Sequence, residues 1–479
     1  MANNSFILDF LTRFSEASEN ANAFCLYDGQ QVSDISYSRF CSDILKTAAY
    51  FRAKAIQGKH IALIAPDSYR WLVTFFGIMA SGNVAVLLNP ALPGEILSWQ
   101  CEKADAAFLC SEAESLSQTS WNPGLPQLPF EKLLNEAALA IEDISPCDAN
   151  QTLMLMFTSG TTGKSKAVEL TSENLLVSCA NIEGMYDGPT MDRVYPAIPL
   201  FHIGALRYVL ASLQRLKTIC MGRGQRYMLM DLPMLNPTGG VFVPAILESI
   251  SKVLKRCKTE ADRARYIGAN MKRFSFGGAV LKPAVAQFFL EQGFILEVIF
   301  GMTETACDGM SYRLDLEHRN SLGKLCGNMQ AKLENNELLL KCGSIMKGYY
   351  KDPEETAKVM VGGWMHTGDL ARVDEDGYYY LTGRKKNVII LSNGENVNPE
   401  EIEAAFAGCE AILECMVYGE VKGICADIYT TEKDTVAAFV KSYNESTPAY
   451  RQVYKVNYMD QPLEKTPSGK IKRKENQYV

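Results

Sequence analysis

The chain has 479 residues, 47% of them hydrophobic and 22% charged, with a formal net charge of -7. Such a length and balance fit a globular protein of two or more domains, and the negative charge gives no global attraction to nucleic acid or to an anionic membrane surface. The 14 cysteines form no Cys-x-x-Cys pair and the 4 histidines (His60, His202, His318, His366) stand far apart, a pattern that argues against a zinc cage and for free thiols in a reducing cytoplasm.

From the N-terminus, Met1 to Phe10 lacks a basic leader and carries Asp9 where a signal peptide would be apolar, so it reads as an amphipathic first helix. Trp71 to Gly94 is uncharged and long enough to raise the question of a membrane span, but Ser81-Gly82-Asn83 and Asn89-Pro90 interrupt it. A βαβ unit explains it better: His60 to Ala65 as strand, Pro66-Asp67-Ser68 as cap, Tyr69 to Ala80 as helix and Val84 to Leu88 as strand.

The apolar run Leu153 to Phe157 feeds directly into Thr158-Ser159-Gly160-Thr161-Thr162-Gly163-Lys164-Ser165-Lys166. Backbone N–H groups, hydroxyls and lysines at a strand exit suit a polyphosphate, so this loop predicts a nucleotide. It is not the common P-loop, because only Thr161 and Thr162 separate Gly160 from Gly163. A solvated Gly/Thr turn before a helix starting near Thr171 is the plain alternative, and it loses weight because two later strand exits carry polar motifs as well. Arg273 to Phe276 predicts a strand leaving through Gly277-Gly278-Ala279, a helix opens near Pro283, and Phe294 to Phe300 predicts the strand that leaves through Gly301-Met302-Thr303-Glu304. Alternation of this kind gives parallel sheets wrapped by helices, with ligands at the carboxyl ends of strands.

Beyond Gly343 the texture changes. Asp374-Glu375-Asp376-Gly377 reads as a hairpin turn, since Arg372 stands where an EF-hand would need its first ligand. Tyr378 to Leu381 and Asn387 to Leu391 predict strands, and Asn398-Pro399-Glu400-Glu401 predicts a capped helix start. The basic run Lys470 to Lys474 reads as solvated surface. The expected organisation is α/β: a large N-terminal domain, residues 1–385, of parallel and mixed sheets wrapped by helices, joined at a hinge at Lys386 to a small α+β domain, residues 386–479.

Five motifs in order, Thr158 to Lys166, Phe300 to Thr305, Gly363 to Asp369, Gly383-Arg384-Lys385-Lys386 and Pro467-Ser468-Gly469-Lys470, resemble the adenylate-forming superfamily of acyl-CoA synthetases, amino-acid adenylation domains and luciferases. The resemblance implies ATP and Mg2+ as cofactors. It implies that Thr158, Ser159, Gly160, Thr161, Thr162, Gly163 and Lys164 cradle the β- and γ-phosphates and that Glu304, beside Thr303, holds the metal. Gly277, Gly278, Ala279 and Phe300, followed by Gly301 and Met302, would enclose adenine, Asp369 would take the ribose hydroxyls, and Arg384 would support ribose and phosphate. Lys470 would reach the charge developing between carboxylate and α-phosphate, and Lys386 would be the pivot. Where relatives have Tyr the chain has Phe300, Ser165 replaces a frequent Pro, Ala167 a frequent Gly, and the segment after Lys386 is shorter than usual.

Pro199-Leu200-Phe201-His202-Ile203-Gly204 is similar to the acyl- and aryl-CoA synthetase form of its motif, with no Asp next to Phe201 for an amino-acid ammonium. His202 would line the acid pocket. Arg384 to Val397 is similar to long-chain fatty acyl-CoA ligases, which implies a fatty acid as substrate, CoA as acceptor and Gly394 beside the pantetheine arm. Three readings remain: an AMP-forming acyl-CoA synthetase, an acyl-AMP ligase loading a phosphopantetheinyl carrier protein in trans, and a non-catalytic binding protein built on the same frame. Arg207, just past Gly204, is either a surface ion pair or a partner for a second substrate carboxylate. Neither nucleic acid nor a membrane span is expected.

Overall fold

A computed structural model describes residues 5–112, 121–158, 165–182, 191–391, 395–420, 422–465 and 471–474. Two large sheets dominate it. One has seven strands, with Thr152–Phe157, Val84–Leu87, His60–Ile64, Ala106–Ser111 and Gln127–Pro129 in parallel and Ala167–Thr171 and Gly348–Tyr349 added antiparallel at one edge. The other has nine, with a parallel centre of Asn22–Tyr27, Thr218–Met221, Arg193–Pro196, Gly239–Phe242, Arg273–Gly277 and Ile295–Gly301.

Period-two alternation divides each strand between two cores. In His60–Ile64, Ile61 and Leu63 face the cluster shared by both sheets, whereas Ala62 and Ile64 face an outer one with Leu97 and Cys101 of the helix Gly94–Lys103. The shared cluster is filled by the helices Phe6–Glu16, Tyr37–Ala53, Tyr69–Ala80, Ser172–Asn181 and Ile203–Gln214. Phe6, Phe10 and Phe14, four apart on the first helix, meet Phe76 at ring-centroid distances of 6.5, 5.4 and 5.9 Å, the i, i+4 spacing that gives a helix one apolar stripe. Behind the nine-stranded sheet, Phe242, Phe274 and Leu296 pack against the helices Met228–Leu235, Pro244–Leu254 and Pro283–Glu291. The α/β expectation holds.

The βαβ unit appears as expected, with Ser68 Oγ accepting the Trp71 N–H at 3.1 Å as the helix cap. The helix expected near Thr171 starts at Ser172, capped by Thr171. Several local readings change. Ala167–Thr171 is an unexpected strand, residues 387 to 391 contain only the two-residue strand Ile389–Ile390 after a 3-10 turn Lys385–Asn387, and Asn398 does not cap its helix through its side chain. A five-stranded antiparallel sheet, with Gln330–Glu334, Glu337–Lys341, Met360–Val361, Trp364–Val373 and Tyr379–Arg384, follows the large sheets. The Asp374 to Gly377 hairpin turn lies between its last two strands, Gly377 taking φ 82° and Asp374 N–H reaching Tyr378 O at 3.0 Å.

From Ile389 onward the chain has its own core, in which Ile389, Val397, Ile402, Phe406, Val417, Ile424, Ala426 and Val436 pack together. The basic run is not loose surface where it is described: Arg473 pairs with Glu403 at 2.5 Å and Glu400 at 3.3 Å, and Lys474 with the buried Asp427 at 2.7 Å. No helix among the described residues is long and apolar enough to cross a membrane.

Candidate active site

Strand exits bring the motifs together. Thr158 leaves Thr152–Phe157 and is closed against the returning chain, its N–H donating to Lys166 O at 3.0 Å while its Oγ1 accepts the Lys166 N–H at 3.2 Å. Lys166 then lies 4.6 Å above the Tyr349 ring and pairs with Glu355 at 2.5 Å. That partner matters: hydrogen bonds from Lys166 and then Lys358 hold the Glu355 carboxyl down to about 2, so the Lys166 charge is already matched. Tyr349 in turn donates from its hydroxyl to Glu304 Oε1 at 2.9 Å, and Met346 N–H reaches Glu304 O at 2.8 Å. The loop flank and the Glu304 motif are therefore joined through one tyrosine.

Gly277 and Ile299 are register partners on neighbouring parallel strands, which sets the Gly277-Gly278-Ala279 exit beside Phe300, Gly301 and Met302. A Cβ at Gly277 would strike the Ile299 carbonyl, and Gly278 has φ 80°, so both positions need glycine. Thr303 and Glu304 occupy the 3-10 turn that follows, Thr303–Thr305.

Asp369 faces Arg384 across an antiparallel strand pair, and its fully buried carboxylate lies 2.5 Å from Arg384 Nε. The Thr-Gly-Asp turn before it is held from below: Gly368, at φ 71°, donates its N–H to Glu337 Oε1 at 3.2 Å, and Thr367 Oγ1 accepts the Asp369 N–H at 3.0 Å. Glu337 also meets Lys385 at 2.9 Å and His366 at 3.2 Å. Burial opposes its ionisation, yet these two partners carry its carboxyl below the usual value. Lys386 is pushed the other way for a cation: partial desolvation first, then Arg384, lower its ammonium, with Lys166 and Arg473 adding to the repulsion and Asp369 resisting it.

His202 precedes the helix Ile203–Gln214 and packs its ring against that of Phe201, tilted by 47° at a centroid distance of 4.6 Å. The segment is tethered to the other sheet by Asp67, whose Oδ1 accepts the Leu200 N–H at 3.0 Å and whose carboxyl burial pushes up to about 6. Arg207 settles into neither expected place. It is 2% exposed, paired with Asp308 at 3.0 Å and bonded to the carbonyls of Ser178 and Cys307, so it is neither a surface ion pair nor a partner for a second carboxylate. Ser159, Gly160, Thr161, Thr162, Gly163, Lys164, Gly394 and Lys470 lie outside the described residues.

Among the described residues no three His, Cys, Asp or Glu side chains group to hold a metal by themselves. The single Glu304 carboxylate fits Mg2+ of the kind that takes one or two carboxylates and draws its remaining ligands from phosphates and water. Sequence reasoning missed the contacts of Tyr349, Glu337 and Asp308, which belong to no motif, and read Asp67 only as part of a helix cap.

A profile of the AMP-binding enzyme C-terminal domain matches residues 386–478. The chain is 27% identical over 478 residues to a long-chain-fatty-acid–CoA ligase of Mycobacterium tuberculosis, covering 90% of this chain and 89% of that one. It is 26% identical over 404 residues to a 2-succinylbenzoate–CoA ligase of Bacillus cytotoxicus, covering 79% and 78%. The fold is like that of O-succinylbenzoate coenzyme A synthetase from Bacillus subtilis in complex with AMP, with a TM-score of 0.83 at 23% identity over 97% of both chains. The AMP-binding enzyme profile itself matches residues 14–350, a span that takes in the strand exits at Thr158, Gly277 and Gly301, and on that match the chain belongs to the AMP-binding enzyme family.

Proposed function

We propose that this chain is an AMP-forming acyl-CoA synthetase. A substrate carboxylate oxygen attacks the α-phosphorus of ATP, the bond to the bridging oxygen breaks and pyrophosphate leaves; the CoA sulfur then attacks the acyl carbon of the adenylate, AMP leaves and the thiol proton is released. The observation that carries the reading is the Lys166, Tyr349 and Glu304 chain of contacts, which joins the phosphate-loop flank to the carboxylate proposed for Mg2+. When bound, that ion would neutralise charge on the phosphate oxygens.

In this reading Glu304 is oriented by the Tyr349 hydroxyl. Asp369 and Arg384 form the ribose and phosphate end of the site, with Glu337 fixing the turn that carries Asp369. His202 and Phe201 line the acid pocket, and Lys470 approaches the α-phosphate from the small domain, which pivots at Lys386. The acid is proposed to be a monocarboxylic, fatty one. In support, the helix Ile203–Gln214 is mostly apolar, and Arg207 on it is consumed by Asp308 and two carbonyls instead of facing a second carboxylate. Both named relatives are CoA ligases, and the cytoplasm, where ATP and CoA meet, is the proposed compartment.

The test is pyrophosphate release by the purified chain with ATP, Mg2+ and a panel of fatty, branched, aryl and dicarboxylic acids, with CoA, with a holo-carrier protein, or with neither. Acid-dependent pyrophosphate release, with AMP turnover dependent on CoA, is expected. No release with any acid would reject the function, and turnover with the carrier protein alone would reassign the acceptor.

A further inference from the structure

The turn that carries Glu304 does not support itself. Thr303–Thr305 is a single 3-10 turn, and Ala306 and Cys307 follow it with φ of 50° and 60°. Two successive left-handed residues that both carry a Cβ are costly and persist only where the surroundings over-determine them. Here the surroundings do so through main-chain carbonyls. Ser178 Oγ donates to Ala306 O at 2.8 Å and Arg207 Nη1 to Cys307 O at 2.9 Å. Within the turn, Cys307 N–H reaches Met302 O at 2.8 Å and Thr305 Oγ1 reaches Asp308 O at 2.5 Å. The Asp308 carboxylate, 0% exposed, receives Arg207 Nη2 at 3.0 Å, Asn181 Nδ2 at 2.5 Å and the Gly309 N–H at 3.0 Å. Arg207 Nε and Nη2 also donate to Ser178 O, at 3.2 and 3.0 Å. Gly301 completes the enclosure from the other side, where a Cβ would strike the Cys307 carbonyl.

A buried ion pair serving the core alone would not need one donor aimed at a carbonyl of the strained turn and two more at Ser178, whose own hydroxyl takes the turn's other carbonyl. A planar guanidinium can reach a carboxylate and two separate carbonyls at once, which a lysine ammonium on a flexible stem does less well. We propose that Arg207, Asp308 and Ser178 are positioning residues that hold the Glu304 carboxylate where it can take Mg2+, acting through the left-handed Ala306–Cys307 turn. The inference rests on the adenylation reading above.

The experiment compares Ser178→Ala, Arg207→Lys and Glu304→Gln in the full chain. It reads the Mg2+ concentration for half-maximal acyl-adenylate formation, and by calorimetry the affinity for a non-hydrolysable ATP analogue with Mg2+ and with a chelator. Ser178→Ala loses one hydrogen bond and should raise the Mg2+ requirement about fivefold, the worth of one such bond. Arg207→Lys, which keeps the charge opposite Asp308 but not the fork, should raise it at least as much. Both should weaken analogue binding in Mg2+ by the same factor, leaving binding in chelator and thioester formation from preformed acyl-adenylate unchanged. If Glu304→Gln shifts the Mg2+ requirement and Ser178→Ala and Arg207→Lys do not, the positioning role is overturned while the metal assignment stands. If Glu304→Gln leaves it unchanged, the metal assignment falls and the positioning role with it. Should Arg207→Lys fail to fold, Ser178→Ala decides alone.

Discussion

Tyr349 joins three groups that lie far apart in the chain: its hydroxyl holds Glu304, its ring lies under Lys166, and its backbone N–H is taken by Thr356 Oγ1 at 2.9 Å. Burial first, and the neighbouring Glu304 next, push its phenol far above the usual value, so it stays a donor wherever the enzyme works. Tyr349→Phe keeps the ring and its packing and removes only the hydroxyl. Acyl-adenylate formation should fall roughly 10- to 150-fold, the span of one neutral-to-charged hydrogen bond, with little change in thermal unfolding. The loss should be constant across neutral pH, because neither Tyr349 nor the low-titrating Glu355 changes charge there. A rate loss that grows or vanishes with pH would mean that the hydroxyl exchanges a proton and does not simply orient Glu304.

The neighbouring strands Arg273–Gly277 and Ile295–Gly301 carry a different burden. Ser275 and Glu297 are register partners; Ser275 Oγ donates to Glu297 Oε2 at 2.5 Å, and the Tyr208 hydroxyl donates to the same oxygen at 3.2 Å. Burial raises the Glu297 carboxyl from 4.5 to about 7, with Ser275, Arg273 and Tyr208 pulling it partly back. The folded chain then keeps a proton that the unfolded chain releases above its own lower pKa. Stability contributed by the protonated form is therefore complete at low pH, declines as pH rises through the unfolded pKa, and levels off above the folded one, a change on the order of 3 kcal/mol. Glu297→Gln cannot titrate. The urea midpoint of the wild type relative to that variant should fall between about pH 5 and about pH 8, and parallel profiles would mean that Glu297 is never forced to hold its proton. Strands such as these were readable in the sequence because their alternation and glycine exits are local. Ala167–Thr171 was hidden because its pairing partner lies beyond the Thr158 to Lys166 loop, and Asn398 had the right residue type but not the capping bond. At the site, contiguous motifs could be read, whereas Tyr349 to Glu304, Arg207 to Asp308 and Asp67 to Leu200 join residues 45, 101 and 133 positions apart, and no spacing rule reaches that far.

At the scale of the whole molecule, positive charge gathers where the large sheets meet the segment after Arg384. Lys386 is repelled by Arg384, Lys166 and Arg473 and attracted by Asp369, while Glu355 pairs with Lys166 and Glu400 and Glu403 with Arg473. Such a seam is at its least favourable when empty and gains from a polyanion. The proposed pivot at Lys386 would use that gain: a nucleotide polyphosphate draws the small domain in, and departure of pyrophosphate removes the charge that held it. Lys470 would then serve one orientation only. In the chain it lies between Lys465 and Ile471, which pair as an antiparallel bridge, while Lys465 meets Glu414 at 2.6 Å and Arg473 meets Glu403, so these flanks are tied to the residues after Lys386. Lys470→Ala should reduce acyl-adenylate formation on the order of 100- to 1,000-fold, as for other preorganised charges acting on a transition state. On the proposed rotation, thioester formation from preformed acyl-adenylate and CoA uses the other orientation and should change far less. Single-turnover assays of each half-reaction separate the two, and an equal loss in both would mean that one fixed arrangement of the domains performs both steps.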